Sequence, residues 1–516
     1  MNRFRKFIFN GLLITAVSLI MRSVAVSFNV YLSNTIGAVA MGVFTLISTV
    51  YGFALTVATS GIGLAATRHI AEAVGEAEKS GISPRKSPLV RGYVKNCVRY
   101  ALFFSIGSAV VLFLLSDHIG CRWLGDERTV SSLKVLALSL PSIALSSVFY
   151  GYFTAVRRVY KNAIVQVLGQ GIKIFSCIGL ISFLGASDVE TACLSVVIGG
   201  TAAELISFAV HYIFYLLESM EQKASDHDKN ESDKQWRRIL HTALPVAFSA
   251  YMRSGLITLE HILIPKGLEK SGSSRDSSLA AYGTIHSMVF PLVLFPSALS
   301  GSFAGLLVPE VAESKAEGDE GRILRIINKV FHAVLTFSIG TAGIMMCFSY
   351  ELGNTVYPNV STGRYILMVA PLIPIMYLDT SVDGILKGLG EQVYCMGVNI
   401  ADALLSVILV WLLLPNMGIT GYILTVYFTE TVNATLSIAR LLTVTKVRPN
   451  IKDWIIKPLI SVILSSAATR YIASRLTGSI TGSLELAVYI VLTASVYLAL
   501  LIVMKGIKLK GNPSHP

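Results

Sequence analysis

Charge is scarce in this sequence. Only 14% of its 516 residues are Asp, Glu, Lys or Arg, against roughly 25% in a soluble globular domain, while 53% are hydrophobic and mean hydropathy is +0.64. That shortage excludes an ordinary soluble fold, which needs those charges on its surface. Cysteine is sparse too. The six residues Cys97, Cys121, Cys177, Cys193, Cys347 and Cys395 form no CxxC or other close pair, so the spacing encodes neither a disulfide framework nor a thiolate metal site. Catalytic signatures are missing as well: there is no HExxH, no GxGxxG, no phosphate loop and no Ser/His/Asp order with flanking motifs. The gaps between apolar runs are too short for an enzymatic domain. The expectation is a protein that is not an enzyme and holds no cofactor or metal.

What the chain has instead is apolar length. Runs of about 20 residues, enough to cross a ~30 Å hydrocarbon core, fall near 9–32, 39–66, 93–116, 131–155, 162–184, 190–216, 239–265, 280–307, 323–348, 364–386, 393–414, 419–442, 454–473 and 484–504. They predict an all-α polytopic membrane protein with about 14 transmembrane helices. A basic lead (Arg3, Arg5, Lys6), an apolar run and "AVA" at 38–40 imitate a secretory signal. The run is too long for one and has a counterpart deep in the chain, so 9–32 reads as the first span.

The formal charge of +12 invites a nucleic-acid reading, which the placement of the basic residues rejects. Lysines and arginines collect in alternate gaps: Arg3 to Lys6, Arg68 to Lys95, Arg157 to Lys161, and Lys223 to Arg238. The gap at 185–190 has none, and that at 116–130 balances two arginines with three acids. By the positive-inside rule this pattern encodes orientation, with both termini cytoplasmic and a basic tail at 505–511 in agreement. The partner of this basicity is a membrane.

The segment 218–238 is highly charged with little to bury, and reads as a cytoplasmic linker between two halves. Across it the chain repeats. "YMRSGLITLEHIL" (251–263) matches "IMRSVAVSFNVYL" (20–32) at an offset of 231; "AYG" (281–283) and "VAES" (311–314) match "AMG" (40–42) and "IAEA" (70–73) at 241; Pro374 and Gly384 match Pro141 and Gly151 at 233. The ten-residue jump falls in a loop. The predicted organisation is therefore an N-lobe at 1–217, the linker, a C-lobe at 239–445, and two further helices with a tail at 446–516. Two pseudo-symmetric six-helix lobes of like topology, related by an axis along the membrane normal, would leave a cleft of the kind in which transporters hold substrate.

The repeat aligns the charges that least belong in a membrane. Arg22 and Arg253 sit at matching central positions, and seven residues on, two turns along the same face, come Asn29 and Glu260, with His261 beside the latter. A charge at mid-bilayer costs about 2.5–3.5 kcal/mol on insertion scales, so such residues usually face an interior or a watery cavity. Two guanidinium forks suit an anion such as phosphate or pyrophosphate. The competing reading is an internal ion pair, for example Arg253 with Glu260. Glu260, Glu204, Glu430 and Asp402 are candidates to carry a coupling H⁺ or Na⁺.

Two stretches also carry a likeness. "LMVAPLIPIMYLDTSVDGILKGLGEQ" (367–392) and "YGTIHSMVFPLVLFPSALSGSFAGLLVPEVAES" (282–314), together with "GIGLAATRHIAEAVGEAEKSG" (61–81), resemble the stage V sporulation protein B family of the multidrug/oligosaccharidyl-lipid/polysaccharide (MOP) flippase superfamily, which also holds the MATE exporters and the lipid II flippases. The resemblance spans nearly the whole chain. It implies two six-helix lobes working by alternating access in a bacterial inner membrane, on a lipid-linked oligosaccharide or other anionic lipid such as an undecaprenyl-pyrophosphate-linked precursor of spore cortex peptidoglycan. Cell-wall synthesis proteins are the implied partners. In the lipid II flippases arginines of the first helix of each lobe line a cationic cavity, and Arg22 and Arg253 fall at the corresponding places; no further central arginine appears in the second or eighth span. A MATE-like cation-coupled exporter and a non-transporting scaffold for cell-wall synthesis are the alternatives.

Overall fold

A backbone in lipid must satisfy every N–H and C=O internally, and an α-helix does so within one segment. The computed structural model describes residues 3–83, 87–185, 188–219, 229–357, 360–447, 450–476 and 482–504, and the regular structure among them is helical. Helix α1 (Arg3–Thr59) runs 57 residues, about 85 Å at 1.5 Å per residue, too long for one crossing. It breaks at Gly37, whose φ of 79° and ψ of 171° are open essentially to glycine alone. The same device interrupts the 54-residue α16 (Gln392–Thr445) at Gly418, with φ 56° and ψ −138°.

Between these lie α2 (Ile62–Lys79), α3 (Pro88–His118), α4 (Val130–Ala137), α5 (Leu140–Ala155), α6 (Val159–Leu184), α7 (Val189–Ser219), α8 (Lys229–Lys270), α9 (Arg275–Gly283), α10 (Phe290–Leu294), α11 (Ser297–Ala316), α12 (Glu320–Cys347), α13 (Ser349–Val356), α14 (Val360–Val369) and α15 (Ile373–Gly388); α17 (Lys457–Leu476) and α18 (Ser483–Val503) follow. Among the described residues ten helices are long and apolar enough to cross a membrane, eleven with the bent pair α4–α5 as one span. All fourteen expected stretches fall on helical segments. The smaller figure arises because Gln392–Thr445 encloses two of those stretches and Ile20–Lys79 joins the end of the first to the whole of the second, and because Arg253, Glu260 and His261 lower the hydropathy of α8. Helical structure begins at Lys229 within the expected linker, and there Gln235 is buried and its Oε1 accepts from Asn96 Nδ2 at 3.1 Å. Positions 220–228 and the tail at 505–511 lie outside the described residues.

The chain forms two compact units. The first comprises Met1–Phe28, Thr35–Lys266 and Arg275–Gly283; the second comprises Asn29–Asn34, Gly267–Ser274 and Thr284–Pro516. Lipid supplies little hydrophobic drive between helices, so packing rests on close backbone approach and dispersion. In the first unit Gly151 of α5 lies against Ala66 and Thr67 of α2, and Gly199 of α7 against Cys177 of α6. Ile62, Ile70, Cys97, Tyr100 and Phe153 fill the centre of that bundle. In the second unit Gly388 of α15 admits Val308 and Val311 of α11, while Phe331 of α12 packs on Trp454 with ring centroids 5.1 Å apart.

Candidate functional site

The first unit holds Arg22 and Arg253, and a polar seam fixes the helix that carries the second of them. Along α8 the residues Tyr251, Ser254, Thr258 and His261 recur at helical spacing and share one face. They meet a matching stripe on α1 and at Ser60 just beyond its end. Thr258 Oγ1 lies 3.4 Å from the Thr49 carbonyl, Thr56 Oγ1 lies 3.3 Å from Ser254 Oγ, and Ser60 Oγ lies 2.5 Å from Tyr251 Oη. Gly255 leaves room for the Phe53 ring. At one end of the seam His69 Nε2 of α2 and Thr242 Oγ1 are 2.9 Å apart; further along, His261 Nδ1 lies 2.6 Å from Tyr282 Oη and 3.4 Å from Thr49 Oγ1. The stripe at 251, 254, 258 and 261 was legible as a pattern. Composition hides it, because Ser and Thr inside a span look like ordinary apolar filler.

Arg253 and Glu260 lie next to this stripe, one position back from Ser254 and His261 and therefore about 100° round the helix. The seam therefore settles the rotation of α8 and leaves the arginine face beside it. Arg253 is exposed and, among the described residues, has no hydrogen-bond or ion-pair partner. Arg22 is also exposed, on the first half of α1, and Glu260 is partly buried. Asn29 is partly buried, with an Oδ1 that finds no hydrogen bond among the described residues. Arg22, Glu204, Arg253, Glu260 and His261 belong to the first unit; Asn29, Asp402 and Glu430 belong to the second.

Glu204 has a neighbour of opposite sign. Gly169 against Ser207 and Gly199 against Cys177 fix the antiparallel register of α6 and α7, and that register sets Lys173 level with Ala203 and Glu204. The two charges lie near the middle of their helices. In the second unit, Asp379 Oδ2 accepts from Asn433 Nδ2 at 3.2 Å, and Lys387 Nζ reaches Asp383 Oδ2 at 2.7 Å. Asp402 and Glu430 are partly buried on α16. Among the described residues no three His, Cys, Asp or Glu side chains are grouped as a metal site would require.

Residues 8–266 match the polysaccharide biosynthesis protein family. Stage V sporulation protein B of Bacillus subtilis (strain 168) is 24% identical over 97% of this chain and 96% of its own length, and sporulation protein YkvU of the same organism is 18% identical over 55% of this chain and 64% of its own. Among solved structures, the lipid II flippase MurJ in an inward closed conformation superposes over 96% of this chain and 98% of its own, with a TM-score of 0.71 and 12% identity. An inward-facing multidrug resistance MATE family transporter of the MOP superfamily covers 83% of this chain and 96% of its own, with a TM-score of 0.62 and 14% identity. The chain is a multi-pass membrane protein of the polysaccharide biosynthesis protein family, similar to stage V sporulation protein B, with the fold of the MOP-superfamily transporters.

Proposed function

We propose that this protein moves an undecaprenyl-pyrophosphate-linked cell-wall precursor, of the kind used for spore cortex peptidoglycan, outward across the bacterial inner membrane by alternating access. The lipid tail stays in the bilayer while Arg22 and Arg253 hold the pyrophosphate in a cleft lined by α1 and α8. Asn29 and Glu260 extend the two arginine faces toward the sugar, and His261 keeps α8 in register. Residues 1–217 and 239–445 act as the two lobes, 446–516 adds two helices, and both termini are cytoplasmic.

The observation that carries this reading is Arg253. A guanidinium in a membrane helix that is exposed and has no carboxylate partner among the described residues needs compensation from outside the protein, and a diphosphate supplies it with charge-assisted, bidentate hydrogen bonds. A pump for organic cations would place carboxylates at these positions. Coupling to H⁺ or Na⁺ would use one of Glu260, Glu204, Glu430 or Asp402.

Mass spectrometry of lipids that copurify with the full chain tests the reading. The wild type is expected to carry a pyrophosphate-linked lipid that the Arg22→Ala/Arg253→Ala double variant loses. Equal recovery from both proteins, or energy-dependent export of organic cations by the wild type, would overturn it.

A further inference from the structure

The last described helix, α18, leaves a groove along α12. Its volume is about 570 Å³, and His332, Ala333, Thr336, Ile344, Tyr497 and Leu498 are among the residues that line it. Two contacts fix the register of the walls. Tyr497 Oη donates to the Thr336 carbonyl at 2.6 Å while its ring lies against Gly340, and Phe348 packs with Leu486 and Tyr489. The two helices are therefore antiparallel, and His332 is level with the end of α18 near Val503. At the far end Ile344 packs on the Phe348 cluster, which stops the groove there and puts its mouth at His332.

That mouth is basic. Lys329 continues the stripe 333, 336, 340 and 344 of α12 one turn outward. The Trp454 ring on Phe331 sets the turn Lys452–Ile456 beside His332. Asp453 of that turn lies within electrostatic reach of His332 and is answered by Lys457 Nζ at 2.5 Å and Asn450 Nδ2 at 2.7 Å. Lys329 and Lys452 are exposed and, among the described residues, have no ion-pair partner. Beyond the mouth the wall is apolar in effect. Tyr497 commits its hydroxyl to Thr336, and Thr341 Oγ1 donates back to the Phe337 carbonyl at 2.9 Å.

We infer that this groove binds a membrane phospholipid with an anionic headgroup, one acyl chain lying between α12 and α18 and the phosphate held at the mouth by Lys329, Lys452 and His332. Length selects the chain. From 332 to 344 the groove runs about 18 Å at 1.5 Å per residue, close to the depth of one leaflet of a ~30 Å core. A polyprenyl carrier tail is much longer and would leave most of itself outside. Charge selects the headgroup, because a zwitterionic lipid would bring an ammonium up to two unpaired lysines. The inference concerns the second unit alone, so it stands or falls separately from the cleft lined by α1 and α8.

The test places the full chain in phosphatidylcholine nanodiscs and titrates in a phosphatidylglycerol that carries a photoactivatable diazirine at mid-chain, with crosslinks mapped by peptide mass spectrometry. Labelling is expected to concentrate on 336–344 and 494–498 over α6, where Phe175 and Phe183 are 79% and 86% exposed and serve as the reference for passing lipid. Lys329→Gln with Lys452→Gln should weaken apparent affinity for the probe about 30-fold, from two lysines at about 1 kcal/mol each. Ala333→Phe and Leu498→Trp each fill the groove from an exposed position and should abolish the enriched labelling with Tm kept; either one that folds is sufficient. Labelling spread evenly over the groove and α6, or unchanged in the filled variants, means passing lipid only and overturns the site. Equal affinity for a phosphatidylcholine probe overturns the headgroup assignment. Displacement of the probe by undecaprenyl phosphate but not by unlabelled phosphatidylglycerol would give the groove to a carrier lipid and overturn the inference as well.

Discussion

Arg253 and Arg470 both lie in helices expected to cross a membrane, and the protein treats them in opposite ways. Arg470 on α17 sends Nη1 to Glu351 Oε1 at 2.5 Å and Nη2 to Glu351 Oε2 at 3.0 Å, donates further to the Cys347 carbonyl, and lies over the Phe348 ring at 5.0 Å. Each acceptor belongs to α12 or α13, so the guanidinium ties one of the two C-terminal helices to the helices beneath it. Arg440 repeats the solution with Glu391 Oε2 at 2.9 Å and 3.1 Å and the Tyr394 ring at 5.3 Å. Arg253 is exposed and has no such set among the described residues. Identical chemistry is satisfied inside the protein in two places and left facing outward in a third. On the proposed function, that difference separates an anchor from a ligand-binding group better than burial or helix position does.

The widest break in the comparison comes from truncating both side chains. Arg253→Ala should cut flipping of a lipid-linked pyrophosphate in proteoliposomes at least about 30-fold, the scale of losing a charge-assisted pair worth about 2 kcal/mol or more, and leave Tm within about a degree of wild type. Arg470→Ala should do the reverse. It strips Glu351, whose side chain is 18% exposed, of its partner, so Tm should fall by several degrees while flipping per folded molecule stays the same. Equal losses of activity in the two variants would erase the distinction.

Lysine sharpens it. Lysine keeps the charge and gives up the planar fork. Arg253→Lys is therefore expected to retain binding of copurified lipid at about a tenth of the wild-type level, whereas Arg470→Lys should recover roughly half of the stability lost to alanine, read as Tm.

How much of this was legible in the sequence depends on which physical rule governs each residue. The membrane fold was legible because lipid enforces long apolar runs, and Gly37 and Gly418 merely partition runs that composition already marked. Arg22 and Arg253 stood out for the same reason, since a charge inside such a run is conspicuous. Long-range pairing was not legible. Glu351 and Arg470 are 119 residues apart, and nothing local to either predicts that they meet. Nor did any local signal show that Arg128 would bridge Asp126 and Asp276, or that Gly42 would pass against Leu279. The seam residues Ser254 and Thr258 lie between these cases: their spacing was visible, but hydroxyls in a helix can return to their own carbonyls, as Thr258 Oγ1 does to Ser254 O at 2.8 Å, so spacing alone does not reveal a partner helix.

The smallest expected effect tests whether the seam and the arginine face are separable. Tyr282→Phe removes the hydroxyl hydrogen-bonded to His261 Nδ1 at 2.6 Å and should destabilise the protein by about 1 kcal/mol, as should His261→Ala. Because the two groups share one hydrogen bond, the double variant should cost less than the sum, with a coupling of about 1 kcal/mol in a double-mutant cycle read by thermal unfolding. Copurified lipid should change less than two-fold in all three proteins, since His261 lies on the face turned toward α1 and Arg253 lies about 100° away from that face. If His261→Ala instead loses lipid as Arg253→Ala does while Tyr282→Phe keeps it, His261 belongs with the arginines, and α8 presents one broad binding face in place of two separate ones.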